Sequence, residues 1–443
     1  MKMKNLKMMA LTMTMAVVLT ACGSKSGNHG AASGTDTASS AQESSQDSNQ
    51  KDSQDSNTDG KEVTITVWGE GEQQALYGDA FAEINAAFEK ANPDIKIDYQ
   101  WSGSFDSLTV AVQTDSLPDV FYTQGNKNTS LSEMAANGYL LPLDEYITDT
   151  SRFPEDALAY ATVDDVLYSS LPAFFDYAVV FYNADIFAKY ELEAPKTWDE
   201  FLAVCKTLQD NGELPMAYGG NGWLDRYWLF GAMAPAYMES EMVTWNEGGE
   251  ISDYAKVKEC FADYRAFLDA GYAGTDYAAT DMASAQLSFT NGQGAMIVDG
   301  TWNKGLYESM NIGCFPIPGK DGKGYSQSGP SQSLTYSASA KTAHPEAVGK
   351  YLAFLSSEEA EQIMFDHVPS IPIVDGIAIT DPVIAAAAEY DVIGQNLFGV
   401  LSFAGNENSQ PADLFTNDVL PKLMTGEYTV DQALELFQKE LEK

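Results

Sequence analysis

The stretch VTITVWGEGEQQALYGDAFAEINAAFEKANPDIKIDYQW (residues 63–101) decides the fold class. Val63 to Trp68 alternates or runs apolar like a strand. Phe81, Ile84 and Phe88 then recur at helical spacing, and Asn92-Pro93 stops the pattern. Ile95 to Trp101 reads as a second strand. PDVFYT (118–123) is a third, continuous and apolar, as a parallel strand covered on both faces should be. LSEMAANGYLLPLDEYI (131–147) predicts a helix ending at Gly138 and then an extended turn. A strand–helix–strand alternation of this kind predicts an α/β domain with a parallel-type sheet.

Further along, LPAFFDYAVVFYNADIF (171–187) predicts a strand with a bend. APKTWDEFLAVCKTLQDNG (194–212) predicts a helix capped by Thr197, with Glu200 completing a capping box. The chain is then helical and rich in aromatics as far as Tyr264. GAMIVDG (294–300), IGCFPIP (312–318) and SQSLTYSAS (331–339) read as later strands. Residues 345–364 and 429–443 read as helices, the last beginning at a threonine cap.

The N-terminus carries a different message. Lys2, Lys4 and Lys7 precede an apolar run from Met8 to Thr20, too short for the roughly 20 residues that span a bilayer, so residues 1–22 read as a signal peptide. The run ends in Leu19-Thr20-Ala21-Cys22, a pattern similar to the bacterial lipobox, which makes Cys22 the expected site of lipidation and membrane tethering. Residues 23–60 contain no aromatic, Leu, Ile or Val. Such a segment buries too little apolar surface to offset its ordering entropy and reads as a disordered polar linker. Its fragment DSQDSNTDG lacks the terminal glutamate and flanking helices of a calcium loop.

The remaining part, about 380 residues, is long enough for two domains. With 64 Asp and Glu against 25 Lys and Arg the net charge is −39, which argues against nucleic acid and against docking on anionic lipid. Neutral or cationic ligands are compatible with it. Cys205 and Cys260 fall on the apolar faces of predicted helices and read as small buried hydrophobes. Together with Cys314 they give an odd number without CxxC spacing, and a bridge among them stays open. Of the histidines only His344 and His367 lie in the folded part, and neither sits in a metal or nucleophile motif. GxSxG, GxxxxGK[ST] and GxGxxG are all absent. No cofactor or metal is expected.

At one turn the residues alone leave two readings of a tryptophan open, core packing and a binding platform. In GAMIVDGTWNKG (294–305) a buried strand runs into a glycine turn that presents Trp302 just past its end.

VTITVWGEGEQQ, LPDVFYTQGNKN, YNADIFAKYELEAPKTWDEF, GAMIVDGTWNKG and TGEYTVDQALELFQKEL occur in the order found in bacterial extracellular solute-binding proteins. Over nearly all of the chain from Val63 the sequence resembles the sugar-binding group that includes maltose-binding protein. The resemblance implies a two-lobed α/β receptor of an ABC importer, each lobe a mixed, mostly parallel sheet flanked by helices, with the ligand in the cleft between them. It implies a monomer that is not an enzyme, partnered by carbohydrate and by permease subunits. The lipobox matches the Gram-positive form, held on the outer face of the cell membrane. The expected N-lobe is 61–174 and 331–380, and the expected C-lobe is 175–330 and 381–443.

Matched residue by residue, the resemblance implies polar sugar contacts at Glu72, with Glu70 close by, and at Asn126, Lys127 and Asp176. It implies an aromatic platform at Trp302, with Trp223, Tyr227 and Trp228 as further candidates. Two platforms of maltose-binding protein fall on Thr123 and near Ala412, so maltose is not assigned. The residue chemistry suits a sugar: carboxylates and amides serve its hydroxyls, and indoles cover its C–H faces. Two other readings stay open, a polyamine receptor whose carboxylates and aromatics cage an ammonium group, and a surface glycoside hydrolase or lyase.

Overall fold

A computed structural model describes residues 62–127, 129–172, 174–175, 177–326, 335–374, 376–406 and 408–443. The leader with Cys22, the polar linker 23–60 and Asp176 lie outside the described residues.

The chain first builds β1 (Val63–Glu70), α1 (Gln74–Ala91), β2 (Ile95–Gly103), α2 (Phe105–Thr114), β3 (Val120–Thr123), α3 (Ser130–Ala136) and α4 (Glu155–Ala161). A small hairpin follows, β4 (Thr162–Val163) with β5 (Val166–Leu167). Through β6 (Phe174–Phe175) the chain enters β7 (Ala178–Asn183), α5 (Ala184–Lys189), α6 (Trp198–Asp210), β8 (Leu214–Ala217), α7 (Trp223–Asn246), α8 (Ala255–Asp269), α9 (Met282–Thr290) and β9 (Gly294–Gly300). After β10 (Ile312–Phe315), β11 (Ile317–Pro318) and β12 (Gly324–Ser326) come β13 (Thr335–Ala338), α10 (Pro345–Leu355), α11 (Glu358–His367) and β14 (Ile371–Pro372). The chain closes with α12 (Pro382–Ala387), β15 (Val392–Ile393), α13 (Leu397–Ala404), α14 (Pro411–Leu414), α15 (Leu420–Thr425) and α16 (Val430–Leu441).

Two mixed sheets organise these elements into two lobes. In the N-lobe the order is β13-β3-β1-β2, with β1 parallel to β2 and β3, and β13 antiparallel to β3. Val67 pairs with both Tyr99 and Val120, so β1 is central, and its inward residues Ile65 and Val67 are fully buried. α1 covers one face because Tyr77, Phe81, Ile84 and Phe88 form the apolar stripe that helical periodicity requires. In the C-lobe the order is β10-β7-β9-β8, with β8 and β9 parallel and the other pairs antiparallel. β7 and β9 oppose each other because the chain enters β7 and leaves β9 at the same edge, Ala178 facing Gly300. All of β9 is buried, which makes it the spine of this lobe.

The helix signals act through hydrogen bonds. Thr197 Oγ1 accepts from Glu200 N at 3.2 Å, while the Glu200 carboxylate accepts from Lys196 N at 2.7 Å, one residue before the expected cap. Thr429 and Gln432 form the complete reciprocal box that starts α16. Cys205, Cys260 and Cys314 are free and buried, and burial pushes their thiols well above the ordinary range.

The N-lobe core draws on residues from Ile65 to Phe174 and again from Tyr336 to Val374. The C-lobe cores draw on residues 177–317 and on residues up to Phe437. Between them runs a short antiparallel ribbon, β6 with β14, in which Phe174 faces Pro372 and Phe175 faces Ile371. Phe174 packs on Tyr77 and Phe365 of the N-lobe, whereas Ile371 joins the C-lobe core with Tyr177 and Val179. A last passage falls between Ile377, which packs on the N-lobe core, and Ile379, which packs on the C-lobe core.

Candidate functional site

The connections select one edge of each sheet. The chain enters β7 at Ala178 directly from the ribbon, and it returns to the N-lobe at Thr335, whose partner in the sheet is Thr123. The C-terminal ends of β1 and β3 therefore share an edge with the start of β13. In the C-lobe the end of β9 shares an edge with the start of β7.

On the N-lobe edge, Glu70 ends β1 and Glu72 is exposed in the turn that follows. Glu70 lies against the buried phenol of Tyr122; burial and then the charge of Glu70 push that phenol well above its ordinary range. Gln124 Nε2 donates to the same phenol at 3.1 Å. Asn126 has its amide committed, donating to the carbonyls of Ala159 at 2.9 Å and Thr162 at 2.6 Å. It thus pins the junction of α4 and β4 and keeps only its oxygen for another partner. Lys127 closes the same turn. The turn needs glycine at 125, where φ is +51° and a Cβ would meet Tyr160 at 2.5 Å.

On the C-lobe edge the turn after β9 is built around Asp299, fully buried at 0% exposure. Its carboxylate accepts from Gly300 N at 2.7 Å, Asn303 Nδ2 at 2.9 Å, Gln286 Nε2 at 2.9 Å and Tyr307 Oη at 2.5 Å. Burial raises its affinity for a proton, and these four bonds oppose the rise. Thr301 continues the pairing with β7: its N–H donates to Tyr177 O at 2.8 Å and its Oγ1 accepts from Tyr177 N at 3.1 Å. Trp302 follows, half-buried, with its indole folded over Gly300.

α7 supplies the remaining aromatics. Trp223 is its first residue. The ring of Trp228 meets that of Trp302, with centroids 5.4 Å apart and planes at 54°. Tyr227, next to it, faces the core at 2% exposure, and its phenol oxygen accepts from Phe398 N at 3.0 Å. The structure thus brings Trp228 and Trp302 together and gives Tyr227 to the packing of α7 against α13.

A crevice of about 350 Å³ lies beside this region. Thr129 of the N-lobe lines one side, and Phe398, Ser402, Gln410, Ala412, Asp413 and Asn417 of the C-lobe are among the residues on the other. Ala412 leaves this wall without an indole, but Phe398 gives it an aromatic ring. None of these except Ala412 was flagged from sequence. Phe398 sits in NLFGVLSFAG (396–405), an apolar run that reads as core, and only the docking of α13 turns one ring toward the crevice. Another cavity, about 310 Å³, lies between α2, α3 and the end of β3. Its walls are N-lobe residues only, so a ligand there makes no contact that draws two lobes together. Among the described residues no group of His, Cys, Asp or Glu is placed to hold a metal ion.

The sequence profile of bacterial extracellular solute-binding proteins matches residues 71–362, well over half of the chain. The chain belongs to that family. Among relatives of this solute-binding protein, the galactooligosaccharide-binding protein of Bacillus subtilis (strain 168) is 25% identical over 398 residues, which cover 86% of this chain and 88% of the relative. The multiple sugar-binding protein of Streptococcus mutans serotype c is 25% identical over 312 residues, covering 66% and 71%. Among solved structures, a chitin oligosaccharide binding protein superposes with a TM-score of 0.71 at 21% identity, over 85% of this chain and 98% of that one. At that identity the superposition establishes the two-lobed fold alone.

Proposed function

We propose that this solute-binding protein is the receptor of an ABC importer for an oligosaccharide, which it captures by closing its two lobes and delivers to the permease without chemical change. The observation that carries the reading is the pair of Trp228 and Trp302, two tilted and partly buried indoles at the lobe edge, the second just past the end of β9. A flat indole covers the C–H face of a sugar with large area and little entropy cost. Polar groups suited to the hydroxyls are Glu70 and Glu72 on the N-lobe edge, and Asp413 and Asn417 in the crevice. Asp176, Asn126, Lys127 and Trp223 belong to the same proposal. Two relatives are named for sugars, a galactooligosaccharide and multiple sugars, which supports the ligand class.

In this reading residues 61–174 and 331–380 move against 175–330 and 381–443 about the β6–β14 ribbon, a hinge motion driven by a ligand that touches both lobes. Lipidated Cys22 and the linker hold the body at the outer face of the membrane. A thermal-shift screen with galacto-oligosaccharides, chito-oligosaccharides and polyamines tests the ligand class. A ligand at about 100 times its Kd stabilises by roughly 2.7 kcal/mol. The reading expects a shift with at least one oligosaccharide and no hydrolysis of it. A response to polyamines alone, or cleavage of the bound sugar, overturns it.

A further inference from the structure

We propose that Asp299 and Gly300 are positioning residues for Trp302: the buried carboxylate fixes the turn, and the missing side chain at 300 seats the indole. The inference rests on the reading that Trp302 faces the ligand, but its geometry is independent of which ligand that is.

Asp299 meets four donors and no acceptor. Oδ1 takes Gly300 N at 2.7 Å and Asn303 Nδ2 at 2.9 Å, both within the turn. Oδ2 takes Gln286 Nε2 at 2.9 Å from α9 and Tyr307 Oη at 2.5 Å from the helical turn that follows. An amide at this position would point its own N–H groups at two of these donors and leave buried hydrogen-bonding groups unsatisfied. The residue type is therefore dictated by the turn that launches Trp302.

Gly300 makes a sharper case. Its φ of −75° and ψ of 148° are open to any residue, so the backbone does not ask for glycine. The indole does. A Cβ at 300 would come within 2.3 Å of Cη2 and Cζ2 of Trp302, so any side chain there moves the ring. That ring also meets Trp228 at 5.4 Å, and displacing it would break the pair.

The test uses Gly300→Ala and Asp299→Asn, each alone and combined with Trp302→Ala. Without ligand, the exciton band of the Trp228–Trp302 pair is read by circular dichroism as the difference between wild type and Trp302→Phe. Gly300→Ala should reduce this band to the Trp302→Phe level while the denaturant midpoint stays near wild type. With galacto- or chito-oligosaccharide in calorimetry, each single variant should weaken binding roughly tenfold or more. The same change should cost nothing further once Trp302 is Ala, because both residues act through that ring. A band that persists in Gly300→Ala, or an affinity loss that is the same with and without Trp302, overturns the proposal. If Asp299→Asn fails to fold, Gly300→Ala decides alone. If wild type binds no oligosaccharide, the functional reading fails while the circular dichroism still decides the positioning.

Discussion

The backbone N–H of Phe398 donates to the phenol oxygen of Tyr227 at 3.0 Å, fastening the first turn of α13 to α7. The tyrosine that resemblance offers as a sugar contact therefore has its hydroxyl engaged in architecture. Tyr227→Phe removes both the acceptor for Phe398 N and the hydroxyl's own donation to Asn396 Oδ1 at 3.4 Å. It should cost about 1–2 kcal/mol of stability in urea unfolding. Oligosaccharide affinity should change less than stability does. A large affinity loss at unchanged stability would instead put the phenol on the ligand.

Trp302 is half-buried, and one of its faces rests on its own turn. Trp302→Ala should weaken oligosaccharide binding by about 2 kcal/mol, or roughly 30-fold. Stability should fall by less than the 3–5 kcal/mol or so expected for emptying a fully buried aromatic site. Calorimetry and denaturant unfolding on the same preparation separate the two roles. Normal binding with easy unfolding would mark Trp302 as core.

Asp176→Asn keeps the shape of the side chain and removes its charge. With a neutral sugar it should cost about 1–3 kcal/mol through lost charge-assisted hydrogen bonds, and the loss should be insensitive to salt. With a polyamine the loss should be larger and should shrink as ionic strength rises. Titrations at low and high salt decide between the two ligand classes.

Burial moves the carboxyl of Glu239 from the ordinary 4.5 up to about 7, although Gln395 N donates to it. Glu361, buried beside Arg152, is pushed to about 7 in the same way. A folded pKa above the unfolded one means the fold holds the proton more tightly. The stabilisation is therefore complete below about pH 4.5 and is lost as pH rises through 7. The urea midpoint should fall across that window, and Glu239→Gln, which can still accept from Gln395 N, should flatten the fall. A midpoint independent of pH in wild type would contradict the assignment.

Cys22→Ala should leave binding by the body intact and release the protein from the membrane fraction. Retention of the variant in detergent-extracted membranes, with its leader removed, would defeat the lipid anchor.

The N-lobe was legible because its signals are local: Phe81, Ile84 and Phe88 declare α1, and Val120–Tyr122 declare a covered strand within a few residues. The turn at Trp302 was legible for the same reason, since Asp-Gly ends an apolar run. What escaped was side-chain commitment across distance. Asn126 looks like a free amide until the carbonyls of Ala159 and Thr162 arrive from α4 and the start of β4. Phe398 looks like core until α13 docks on Tyr227. The buried carboxylate of Asp299 looks like a turn residue, because its partner Gln286 sits on the preceding helix.

The way the chain passes between lobes also sets the order in which the protein can be completed during synthesis. Thr123 and Thr335 share a pair in the N-lobe sheet yet lie 212 residues apart, so that sheet waits for the whole first C-lobe segment to be made. The C-lobe waits in turn for Phe437, which is packed against Trp245, Phe261 and Phe415. Neither half can close its core while an emerging chain is short, and pairings of such long range are slow to form. A nascent chain built this way stays threadable until translation is almost over, the condition a polypeptide needs if it is to pass through a membrane pore before it folds.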